Sequence, residues 1–117
     1  MDDNVIVDKT FALAVRIVNL YKYITAKKNE YVLSKQLLRS GTGIGANVAE
    51  GEKAQSKADF YSKMSIALKE ANETDYWLRL LYNTEYLNEK QFASVSADIA
   101  EIVAILTSIC KSTQINK

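Results

Sequence analysis

A chain of 117 residues sits near the common size of one domain, long enough to bury a core without disulfides or metals. Fifteen Lys and Arg against fourteen Asp and Glu leave a formal charge of +1, without the surplus of a dedicated nucleic-acid binder, while 48% hydrophobic and 25% charged residues are ordinary globular usage. Proline and histidine are both absent; about six prolines are expected at average usage, so their loss fits long helices and short turns, and the loss of histidine excludes histidine-based triads and most catalytic metal sites.

The first predicted element runs over residues 8–26, where Phe11, Val15 and Val18 lie beside Leu13, Ile17, Leu20 and Ile24 in a broad apolar face at helical spacing. Lys27 to Glu30 form a turn. A second helix over 31–50 follows the series Leu33, Leu37, Ile44 and Val48, widened by Leu38 and Ala49, with Gly51 as its stop. Ser56 is the N-cap of a third helix over 56–83, with Asp59 three residues on. That helix carries Phe60, Met64, Ala67, Leu68, Ala71, Leu78 and Leu81. After a break from Asn83 to Asn88, the fourth covers 89–111, where Phe92, Val95, Ile99, Ile102, Leu106 and Ile109 recur alternately at three and four residues. The tail from Ser112 to Lys117 is expected to fray.

Connections of about four to seven residues favour antiparallel neighbours, so the expected fold is all-α: an up-down-up-down four-helix bundle forming one domain over 1–117. Cys110 is the only cysteine, one turn beyond Leu106 and expected as a core thiol. The start lacks a secretory pattern and no run approaches about 18 apolar residues, so a cytoplasmic protein without a membrane span is expected.

The segment Ser40 to Gly51 contains every glycine of the chain. Gly41, Gly43, Gly45 and Ala46 formally satisfy a permissive dinucleotide-binding pattern. That pattern needs a preceding strand, and residues 31–39 have helical spacing instead, so no nucleotide or other small-molecule site is inferred. The alternative is steric: each interior glycine costs up to about 1 kcal/mol relative to alanine, which close passage of another helix offsets. Gly41 and Gly45 flank the apolar stripe. Gln36, Arg39, Gly43, Asn47 and Glu50 form a second, polar stripe. Solvent exposure, oligomer contacts and a polar network are the three readings of it. Arg39 and Glu50 stand about 16 Å apart along a helix, so each needs another partner.

The run Gln36-Leu37-Leu38-Arg39-Ser40, followed by Gly45-Ala46-Asn47-Val48-Ala49-Glu50-Gly51, resembles the signature of the 23S rRNA intervening-sequence proteins, also called four-helix bundle proteins. Phe60, the run Ser65 to Glu70 and Tyr76-Trp77-Leu78 resemble that family's third helix, and the similarity covers about residues 8–110. Many relatives carry a serine- and proline-containing stretch where this chain has Gly43-Ile44-Gly45, which leaves the local geometry of helix 2 open. The resemblance implies an antiparallel four-helix subunit assembling into a homopentameric barrel. It extends to the accessory variability determinant of diversity-generating retroelements, whose members bind nucleic acid through basic surfaces, whereas most members have no established biochemical role.

Here the basic residues are interleaved with acids. Lys27 and Lys28 approach Glu30, Glu85 and Glu89; Lys53, Lys57 and Lys111 approach Asp2, Asp3, Asp8, Glu52 and Asp59. Trp77, near Glu70 and Glu73 on a helical wheel, is either an interface anchor or a core residue. Glu70, Glu73 and Asp75 cluster as in di-metal bundles, but those sites use Glu-x-x-His motifs, so no metal or cofactor is expected. The expectation is a non-enzymatic, homo-oligomeric interaction protein; the alternative is a nucleic-acid-binding accessory protein. An enzyme with an unrecognised carboxylate or tyrosine site is the third reading and requires a closed pocket of convergent polar groups.

Overall fold

The computed structural model describes residues 3–114; Met1, Asp2 and the tail 115–117, on which part of the fraying expectation falls, lie outside the described residues. Four helices make up the fold: α1 (Asp3–Lys28), α2 (Leu33–Gly51), α3 (Lys57–Asn83) and α4 (Glu89–Thr113). α1 starts at Asp3 instead of near Asp8, because buried Ile6 extends the spacing of Thr10, Leu13 and Ile17 by one more turn. α2 starts at Leu33 instead of residue 31. Its N-cap, Val32, has no side chain able to cap, and the Glu30 carboxylate takes that role by accepting from the N–H groups of Val32, Leu33 and Ser34 at 3.0, 2.9 and 2.7 Å.

The other starts have ordinary caps. Ser56 accepts from the Asp59 N–H at 3.0 Å, and Asn88 forms a reciprocal capping box with Gln91. α3 ends in a Schellman turn, in which Tyr86 N–H donates to the Leu81 carbonyl and Glu85 N–H to that of Tyr82. Glu85 occupies the left-handed position of that turn, at φ 72.

Contacts between helices establish the topology. Along α1 and α2, Gly41 lies against Ile17 and Gly45 against Thr10. Arg39 meets Glu70 while Glu50 meets Lys63, Ser65 meets Cys110 while Tyr82 stacks on Phe92, and Lys9 meets Glu101 while Arg16 meets Asp98. Residue numbers rise on one helix as they fall on its partner in all four pairings, so every neighbour is antiparallel. The bundle measures 47 × 24 × 20 Å. Of the four seams, that between α1 and α4 is the loosest.

One stripe of each helix fills the interior. Ile17, Ile44, Met64, Leu78, Ile102 and Leu106 are among its fully buried members, each stabilising the fold by about 1.5–3 kcal/mol. The apolar arc of α1 is wider than that stripe. Leu13, Ile17, Leu20 and Ile24 are buried, whereas Phe11 is 70% and Val15 47% exposed, which corrects their assignment to one continuous inner face. On α2, likewise, Leu38 is half-buried and Ala49 exposed.

One further expectation is corrected. Gly51 ends α2 without a left-handed turn, since among the described residues no glycine has positive φ. An added Cβ there would stand 2.5 Å from Met64 Cε, so the residue allows α3 to cross closely. α4 is long and apolar enough by length and composition to cross a membrane, a test that a core helix also meets, and here Val95, Ile99, Ile102, Leu106 and Ile109 are buried in the bundle. Its exposed side combines alanines and serines with Glu89, Lys90, Glu101 and Lys111, which interrupt any unbroken apolar run.

Candidate functional site

The polar stripe of α2 faces the outer edge of α3, and antiparallel packing brings Arg39 level with Glu70 and Glu73. The guanidinium meets both: Nη1 lies 3.5 Å from Glu70 Oε1, and Nη2 donates to Glu73 Oε2. Arg39 Nε also donates to Gln36 Oε1 at 3.3 Å. On the far side, Trp77 Nε1 donates to the same Glu73 oxygen at 3.0 Å, and its ring meets Tyr76 edge-on with centroids 5.0 Å apart. Gln36, Arg39 and Trp77 therefore belong to one cluster, with Glu70 and Glu73 as its centre.

Gly43 gives this cluster its room. The Glu70 carboxylate lies over the glycine, where any Cβ would collide with Oε2. Below, inside the bundle, the buried Thr74 hydroxyl donates to Ser40 Oγ at 2.9 Å, so the α2–α3 seam is polar from surface to core. Asn47 and Glu50 stand apart from the cluster. Asn47 Nδ2 donates to the Gly43 carbonyl at 2.9 Å within its own helix. Glu50 pairs with Lys63 at 3.0 Å, and this hydrogen-bonded carboxylate holds the Lys63 ammonium above its usual pKa.

The sequence alone does not name the partners of Arg39 and Glu50. Glu70, Glu73 and Trp77 recur at three and four residues, a visible stripe on α3, and the reversal between α2 and α3 sets its level against Arg39. Lys63 falls on that same α3 edge, two turns nearer the start. Cys110 is half-buried, with Sγ 3.8 Å from Ser65 Oγ.

Chemically, the cluster is one cation shared between two carboxylates at a half-exposed surface. Such pairs orient side chains more than they stabilise, at up to about 1 kcal/mol each. Among the described residues, no group of three or more His, Cys, Asp or Glu side chains is placed to hold a metal. A cavity of about 540 Å³ opens at one end of the bundle, lined by Glu52, Ser56, Lys57, Phe60, Ser112 and Thr113. It lies away from the Arg39 cluster, and its two charged residues are exposed.

The comparisons with known proteins agree with this architecture. The model of the 23S rRNA-intervening sequence protein family matches residues 2–108. A solved structure from Bacteroides thetaiotaomicron, of a protein with unknown function from the S23 ribosomal protein family, is 58% identical to this chain. The match covers 95% of this chain and 99% of that one, with a TM-score of 0.93. Among curated proteins nothing matches.

Proposed function

This chain belongs to the 23S rRNA-intervening sequence protein family, and from that premise we propose that it is a non-enzymatic interaction protein that works as a homo-oligomer, with the pentamer implied by the family resemblance as its expected stoichiometry. The observation that supports this reading is apolar surface left uncovered by the bundle. Phe11 is 70% and Val15 47% exposed on α1, and Val32 at the start of α2 is 71% exposed. Uncovered apolar faces of this kind mark association surfaces.

The polar stripe has a separate role in this reading. Gln36, Arg39 and Gly43 serve a network within the subunit that joins α2 to Glu70, Glu73 and Trp77 of α3. Asn47 and Glu50 continue that edge toward Lys63. The network sets the register of the α2–α3 seam and leaves assembly to the apolar faces elsewhere.

Light scattering on the purified protein at micromolar concentration, with and without mixed nucleic acid and at low and high salt, tests the proposal. The expected result is a particle of several chains whose mass does not depend on nucleic acid. A single-chain mass of 13.1 kDa would sink it. Retention of nucleic acid that weakens steeply with salt would establish the accessory-protein alternative instead.

A further inference from the structure

We draw no further inference here: the strongest candidate, the apolar groove between α1 and α2 lined by Val7, Phe11, Ala14, Thr42, Ala46 and Ala49, is an uncovered face, and nothing in the structure shows what covers it.

Discussion

Alanine at position 41 is expected to destabilise the bundle, whereas alanine at position 43 leaves it unchanged or more stable. Both glycines are interior to α2, and each replacement gains about 1 kcal/mol in helix propensity. What differs is the neighbour. At position 41 the new Cβ would stand 2.8 Å from both Cγ1 and Cγ2 of Ile17 and 3.2 Å from its Cβ. Ile17 is fully buried and branched at Cβ, so neither rotation nor retreat relieves the clash. Overpacking of this kind costs about 1–3 kcal/mol, leaving a net loss of roughly 1 kcal/mol after the propensity gain. At position 43 the obstacle is the end of Glu70, which can swing away at the cost of one partly exposed ion pair worth below about 1 kcal/mol. The variants should therefore differ by about 1–2 kcal/mol, a gap of several degrees in Tm. Urea unfolding followed at 222 nm, at one fixed protein concentration because stability depends on concentration wherever chains associate, measures the difference. Pairing Gly41→Ala with Ile17→Ala should show a loss smaller than the sum of the single losses. If Gly41→Ala matches or exceeds Gly43→Ala in midpoint, the close-approach explanation of Gly41 fails.

Three further outcomes follow from local geometry. Burial opposes ionisation of Glu30, but hydrogen bonds from the backbone of Leu33, Ser34 and Val32 and from the Ser34 hydroxyl outweigh it and lower the pKa below its usual 4.5. Its stabilisation is thus fully present above about pH 4.5 and is lost as pH falls through the lowered value; Glu30→Ala should cost about 1 kcal/mol at pH 7 and show a smaller further loss than wild type in an acid titration. Glu85→Gly should stabilise by about 1 kcal/mol, because φ 72 strains a residue with a Cβ, and thermal melts would register the gain. Arg39→Ala should destabilise by about 1 kcal/mol, since it leaves Glu70 and Glu73 facing each other, whereas Glu50→Gln at an exposed pair should change stability by less than about 0.5 kcal/mol; equal losses in denaturant melts would refute a distinct role for the Arg39 cluster.

The helices were legible because buried residues recur at three and four along each of them, and because proline is missing. Phe11 and Val15 escaped that reading for a physical reason: they extend the apolar arc of Leu13 and Ile17, and periodicity does not say which part of a wide arc turns inward. Gly51 misled differently. A glycine at a helix end is equally a left-handed cap and a place where a neighbour passes closely, and only the position of Met64 separates the two. The polar stripe of α2 could be drawn on a wheel, but its partners lie more than thirty residues away for Arg39 and thirteen for Glu50, a distance that depends on the register between helices. α4 carried the opposite difficulty. Its alanine-rich outer side blurs the contrast between faces, so an exposed surface resembles the flank of a buried one.

These corrections converge on one division of labour. Helices α2 and α3 bring their polar side chains to each other: Ser40 to Thr74, Arg39 to Glu70 and Glu73, Glu50 to Lys63. That seam is satisfied internally, although Ile66 and Tyr76 on α3 and Val32 at the start of α2 stay exposed beside it. Helices α1 and α4 meet differently. They share the loosest seam of the bundle, joined by Lys9, Arg16 and their acidic partners, and turn Phe11, Val15 and the alanine line of α4 outward. An isolated subunit gains nothing from such faces, because uncovered apolar surface contributes no burial and invites aggregation.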